Sequence, residues 1–270
     1  YMTGSFRITG RFDDLFMDVR GRSEKGTTFN LKMADETSVG SYDFITFVDY
    51  SNKADEREPI DLSGIRLNLN LEVTPDAEIK IIFDSQLGDV IEGSGHANLR
   101  MEINTLGDFK MFGTFDIEKG KYLFTALDLI NKIFVINKGG TIVWTGDPVN
   151  AQIDITAAYP WRTSPQPLVM GLVPDNELSN YSSQIPVEAV MGLKGQLMKP
   201  DIKFGINIPN LSILRGTDAN TSVLYNAVRR VESNQEEASR QVFSLLSLGQ
   251  FATPIDNGYV ATGAENTGTN

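Results

Sequence analysis

Residues 107–124 read GDFKMFGTFDIEKGKYLF, and residues 133–159 read IFVINKGGTIVWTGDPVNAQIDITAAY. Apolar and polar residues alternate along both segments, and Gly, Asn, Asp and Pro interrupt the alternation at short intervals. A period of two is the pattern of a β-strand with one buried face, and the interrupting residues are those that form turns. The two segments therefore predict a series of short strands that share an apolar face.

The same alternation extends outward in both directions. It covers 64–73, 77–83, 97–104, 149–157, 187–193 and 202–208. Apolar residues at every second position from Ile65 to Val73 would wrap all sides of a helix, which excludes a helical alternative. Residues 4–33 also read as strands, whereas the five prolines in 160–186 predict a long irregular connection.

Beyond Pro209 the apolar spacing becomes helical. The pattern predicts one helix over 221–231 and a second that ends at Gly249. Ser233 to Glu236 has the Ser-x-x-Glu form of a capping box, which predicts the start of the second helix. The chain thus divides into a β segment over 1–63, a main β domain over 64–209, and helices with a flexible tail over 210–270.

Composition excludes several classes of function. The 270 residues include 24 basic and 35 acidic side chains, a net charge of −11, which disfavours nucleic acid and anionic lipid head groups as partners. Cysteine is absent, so disulfides and thiolate chemistry are excluded. No apolar run approaches the ~18–20 residues of a membrane helix. The chain begins in the middle of an apparent strand, so we expect a longer protein with its targeting sequence or anchor upstream.

Candidate catalytic residues are few. His96 is the single histidine, and an isolated histidine beside a turn is usually structural or exposed. Gly93, Ser94 and Gly95 lack the spacing of a nucleophile elbow. No Lys-Ser/Thr pair follows the glycine-rich residues 88–95, so they do not form a phosphate loop. We therefore expect no enzyme activity, no cofactor and no metal site.

The repeated apolar face is compatible with three architectures. Two such faces could close into a sandwich about 10 Å thick, or the face could point to lipid in a membrane barrel. It could also line an open trough, and roughly 14–16 strands at ~4.8 Å would extend such a trough over about 70 Å. The pattern favours the sandwich without excluding the trough. It disfavours the barrel, because membrane strands need about 9–11 residues.

Several motifs, in their order and spacing, resemble the C-terminal domain of the TamB (translocation and assembly module) family. They lie at 109–122, 134–148, 151–159, 193–204 and 243–251, so the resemblance spans about residues 64–252. It implies a mainly β fold in which one long curled antiparallel sheet, a β-taco, forms an open hydrophobic groove followed by short C-terminal helices. The family brings no catalytic residues with it.

The resemblance also implies a setting and a function. Proteins of this AsmA-like family belong to the envelope of Gram-negative bacteria, are anchored in the inner membrane, and reach through the periplasm to an outer-membrane barrel of the TamA/BamA kind. The implied activity is the movement of phospholipid along the groove, together with support for outer-membrane protein assembly and protein secretion. The alternative is a protein-interaction module that docks to or chaperones the barrel by β-augmentation and conducts no lipid.

Two sets of residues would carry these roles. Those expected to line the groove against phospholipid acyl chains are Ile65, Leu67, Leu69, Leu71, Ile79, Ile81, Phe83, Leu99, Met101, Ile103, Met111, Phe115, Ile117, Ile153 and Ile155. Those expected to contact the barrel partner are Val242, Phe243, Leu245, Leu246, Leu248 and Phe251.

Overall fold

A computed structural model describes residues 1–11, 14–32, 64–82, 90–104, 108–126, 130–211 and 219–254. The strands in these ranges are β1 (Met2–Arg11), β2 (Asp14–Ser23), β3 (Thr28–Lys32), β4 (Ile65–Val73), β5 (Glu78–Ile82), β6 (Val90–Asn104), β7 (Phe109–Ala126), β8 (Ile130–Ile136), β9 (Thr141–Gly146), β10 (Gln152–Thr163), β11 (Ile185–Gln196) and β12 (Lys199–Asn207). The helices are α1 (Gln166–Val169), α2 (Ala219–Glu232) and α3 (Gln235–Leu248), with short 3-10 helices at Pro148–Asn150 and Asp175–Tyr181.

All twelve strands belong to one curled sheet. Its main order is β1-β2-β4-β6-β7-β8-β10-β11-β12, with β3 beside β5, β5 beside β6, and β9 between β7 and β10. The predicted mainly β fold, one long curled sheet followed by C-terminal helices, is confirmed. The sheet is not antiparallel throughout, because β2 runs parallel to β4 and β3 parallel to β5. Parallel neighbours cannot be joined by a tight hairpin, and residues 24–64 separate β2 from β4 in the chain.

The sheet bends along one line, here called the crease, that crosses its central strands. It passes through 24–27, 74–77, 94–95, 117–119 and 137–140. At each point a strand is interrupted or shifts register and then continues in the same direction. Thus β4 and β5 both pair with β6, and β8 and β9 both pair with β7. Backbone hydrogen bonds join adjacent points, such as Ile117 N donating to Gly140 O at 2.8 Å.

Small side chains lie on the inner face of the sheet at the crease. Ala77, Gly93, Gly95 and Ala97 are all buried there, and Ile117 lies 3.6 Å from where a Cβ of Gly140 would be. The register shift between Ser94 and Gly95 leaves one extra residue in β7, which is a β-bulge and increases the local bend. Bulge and small residues together let the inner faces on the two sides of the crease come together.

Those two inner faces enclose a single hydrophobic cluster. Leu71 and Val73 lie on one side of the crease and Ile79 and Ile81 on the other, yet all four belong to the same buried cluster. Helices α2 and α3 pack on β12, and α3 also contacts β11 and β8. The helices therefore cover the inner face where the curled sheet ends.

Two predictions, the limits of the irregular connection and the cap of α3, need correction. The irregular connection is 164–184 rather than 160–186, because β10 continues to Thr163 and β11 begins at Ile185. The cap of α3 is Asn234, whose side chain accepts hydrogen bonds from Glu236 N and Glu237 N, whereas Ser233 Oγ donates to Arg230 O. The predicted C′ glycine is confirmed, since Gly249 has φ 71°. The predicted flexible tail lies outside the described residues beyond Pro254.

Candidate functional site

The inner face of the sheet consists of apolar rows that run across the strands. One row is Phe6, Val19, Leu69, Met101 and Met111, each directly opposite the next on the neighbouring strand. Along it, Phe6 is 71% exposed, the next three residues are half-buried, and Met111 is fully buried. The row therefore leads from a closed interior to an open end at β1.

A second row has the same gradient. Ile8, Met17, Leu67, Ile103 and Phe109 are likewise opposite one another from β1 to β7. Ile8 is exposed and the other four are half-buried. The open end is thus a continuous apolar surface that spans β1, β2, β4 and the adjoining half of β6.

The predicted groove residues divide between the open and closed parts. Those that are half-buried, at the open end, are Ile65, Leu67, Leu69, Met101 and Ile103. Those that are buried, in the closed interior, are Leu71, Ile79, Ile81, Leu99, Met111, Phe115, Ile117, Ile153 and Ile155. Phe83 lies outside the described residues. The structure places all the described members on one face of one sheet.

Five residues of the two rows were missing from the predicted set: Phe109 of β7 and four residues at the open end. Phe6 and Ile8 of β1 and Met17 and Val19 of β2 extend both rows to the open end. Their alternation with polar neighbours is visible in the sequence. The alternation shows which residues share a face of each strand. Assigning them to the groove also requires the parallel pairing of β2 with β4, which is not visible in the sequence.

The closed end is filled by α3 and the segment after it. Phe251 and the α3 residues Val242, Leu245 and Leu246 are buried, and Phe243 makes an edge-on ring contact with Phe204 of β12 (5.3 Å between centroids). Of the six predicted partner-contacting residues, these five pack within the chain. Leu248 is 70% exposed. It is the member of the set placed for an external contact.

Polar bonds fasten the helix and its return segment. Gln235 Nε2 donates to Phe204 O (2.8 Å) on the edge strand β12, and the indole Nε1 of Trp161 donates to Gly249 O (3.0 Å). Buried Gln241 donates to Ala252 O and accepts from Ala252 N, at 2.9 Å each. These bonds hold 249–253 back along α3, so the helix and its return segment form one covering unit.

The outer face carries the charges. His96 Nε2 lies 3.3 Å from Glu118 Oε1, and Lys138 lies 3.6 Å from the same oxygen, all beside the crease. The hydrogen bond and charge of Glu92 raise the pKa of Lys80, and Asp154 raises that of Lys194 in the same way. A depression of about 730 Å³ follows the outer side of the crease among such residues. His96 is thus part of an exposed cluster of polar side chains around Glu118.

This arrangement offers apolar surface rather than reactive groups. Among the described residues, no three His, Asp or Glu side chains are grouped to hold a metal ion. No helix in the described ranges has both the length and the hydropathy of a membrane span. What the inner face presents is an apolar surface that is half-buried or exposed toward β1, fully buried further along the sheet, and covered by helices at the other end.

A single curled sheet, with an apolar inner face and a charged outer face, is the architecture that the described residues define, rather than a sandwich of two separate sheets. The family model of the TamB C-terminal domain matches residues 1–270, including the first 60 residues, which the sequence motifs alone do not cover. The chain therefore belongs to the TamB C-terminal domain family. No curated protein matches the chain. Membership assigns it to the translocation and assembly module of the Gram-negative cell envelope and implies contact with outer-membrane assembly components.

Proposed function

We propose that this chain is a segment of a bridge that conducts phospholipid between the inner and outer membranes along the inner face of its sheet. The observation that carries the proposal is the row from Phe6 to Met111, in which the exposure of an unbroken apolar lining rises toward β1. Acyl chains need no directional chemistry to bind there, since each buried CH₂ group contributes ~0.8 kcal/mol. No catalytic residue takes part.

The uniform lining also suits movement rather than retention. Val19, Leu69 and Met101 present similar aliphatic surfaces on successive strands. A ligand that moves from one strand to the next therefore exchanges one apolar contact for another and meets no deep energy minimum. The phospholipid head group stays in water at the open side of the inner face, because burying its charge without a partner is costly.

The experiment places a charge in the lining at a position that the fold tolerates. Leu69 is half-buried at the open end, whereas Ile81 is fully buried and an arginine there would unfold the domain. Leu69→Arg should reduce copurified phospholipid several-fold, as measured by mass spectrometry. The matched control is Asn68→Arg on the outer face of the same strand, opposite Glu102, which should retain the lipid. Equal phospholipid in Leu69→Arg and the parent chain would contradict the proposal.

A second function concerns the outer-membrane barrel of the TamA/BamA kind. Leu248 is exposed on α3, and a strand of the barrel would add to an edge of the sheet by β-augmentation. This edge would dock or template a strand of the barrel and so support outer-membrane protein assembly and secretion. A Leu69→Arg variant that loses lipid but still binds the purified barrel would show that the two activities are separate.

A further inference from the structure

Trp144 is buried in the closed interior without a hydrogen-bond partner. It is 1% exposed, and its Nε1 is the only buried side-chain polar atom in the described part of the chain that has none. The other tryptophan, Trp161, donates its Nε1 hydrogen to Gly249 O. More than about 90% of buried polar groups in proteins are paired, because an unpaired donor loses its water without compensation. The position of Trp144 therefore needs an explanation.

Trp144 lies at the inner end of a third row across the sheet. Gly4 is opposite Gly21, Gly21 opposite Leu71, and Leu71 opposite Leu99. Trp144 itself is opposite Gly113, where an added Cβ would lie 3.2 Å from Leu99 Cδ2. The row therefore begins with two glycines at the open end and is closed by two leucines in front of Trp144.

We infer that the indole N–H of Trp144 is the hydrogen-bond donor for the ester carbonyl of a phospholipid acyl chain that enters the groove. The inference rests on the proposed function. The ester carbonyl is neutral and adjoins the hydrocarbon chains, so it suits a donor in an apolar interior. The phosphate on the far side of the glycerol is then oriented away from Trp144, toward the open end, where water solvates its charge. In this structure Leu71 and Leu99 close the row, so the ester reaches Trp144 when these two side chains move apart.

The chain has only two tryptophans, which makes the test direct. In a Trp161→Phe variant every tryptophan signal comes from Trp144. The probes are two phosphatidylethanolamines with identical chains, one with ester linkages and one with ether linkages that lack the carbonyl. The ester lipid should shift the indole N–H band in ultraviolet resonance Raman spectra to the hydrogen-bonded position and move the fluorescence to longer wavelength. The ether lipid should bind and leave both signals unchanged.

A second variant measures the contribution of the bond. Trp144→Phe keeps an aromatic ring but removes the donor, so the affinity for the ester lipid should fall about fivefold to tenfold, the contribution of one neutral hydrogen bond. Its affinity for the ether lipid should stay unchanged. Suppose that both lipids bind, that they give the same Trp144 spectra in Trp161→Phe, and that Trp144→Phe binds the ester lipid as tightly as the parent chain does. The role of Trp144 is then overturned, whereas the proposed conduction of lipid is not. If neither lipid binds the parent chain, the conduit and this inference are both overturned.

Discussion

Gly95 lies where β6 shifts its register against β7, on the inner side of the crease. Any side chain there would meet the neighbouring backbone, because a Cβ would lie 2.0 Å from the carbonyl oxygen of Asp116. Glycine has no Cβ and therefore lets β6 and β7 approach this closely at the bulge. Only glycine therefore fits at this position of the crease.

Replacing Gly95 by alanine should lower the free energy of unfolding by at least about 2 kcal/mol, because the backbone of β7 must move away from the added methyl group. Gly205→Ala on β12 is the matched control, since nothing lies within 4 Å of its added Cβ. That variant should stay within about 0.5 kcal/mol of the parent. Urea denaturation of both variants measures the difference, and equal stability would mean that the crease can relax.

Glu237 stabilises α3 through charge-assisted bonds. It accepts two hydrogen bonds from Arg240 (2.8 and 2.7 Å) and one from Gln241 (2.8 Å). The bond from Arg240 is the main cause that lowers the pKa of Glu237 below the usual 4.5. Because its pKa is lower in the folded state, its contribution is present above the unfolded pKa and is lost as the pH falls through the folded pKa.

Glu237→Gln should therefore destabilise the chain by about 1 kcal/mol near neutral pH. The difference from the parent should shrink as the pH falls below about 4.5, the range where the parent carboxylate takes up its proton. Urea midpoints from pH 6 to pH 3 measure it. A difference that stays constant across this range would show that the carboxylate charge contributes nothing.

At the scale of elements, one face of α3 packs against the sheet and the other is exposed to solvent. Leu245 is buried against the sheet, whereas Leu248, one turn further on, is 70% exposed. Leu245→Ala should cost about 2–5 kcal/mol, because it leaves a cavity under the helix. Leu248→Ala should cost no more than about 0.5 kcal/mol. Thermal or urea unfolding separates the two, and a large loss at Leu248 would contradict the placement of the helix.

The sequence allowed us to predict which face of each strand is apolar, but not every residue at which an element begins or ends. Alternation from Ile65 to Val73 assigns the inner side of β4 correctly, because one buried face imposes a period of two. The start of α3 was wrong by one residue: Ser233 fitted a capping box, but Asn234 caps two backbone N–H groups. Both residue types are good caps, so pattern alone does not choose between them.

At the scale of the whole molecule, exposure of the groove could not be predicted from the strands themselves. Ile65 and Ile81 occupy equivalent positions in the alternation, yet Ile65 is half-buried and Ile81 fully buried. Burial depends on contacts between segments that are distant in the sequence, and such contacts leave no periodic signal. For the same reason the parallel pairing that brings β1 and β2 into the groove was not predicted.

The central claim is that the inner face contacts phospholipid and the outer face does not. A photo-crosslinking amino acid at Phe6, Val19 or Leu69 samples the inner row, and the same amino acid at Arg7, Arg20 or Asn70 samples the outer face one residue away. After irradiation in membranes, mass spectrometry of the purified chain should find phospholipid adducts at the three inner positions and not at the three outer ones. Equal adduct yields on both faces, or none on the inner face, would contradict the account.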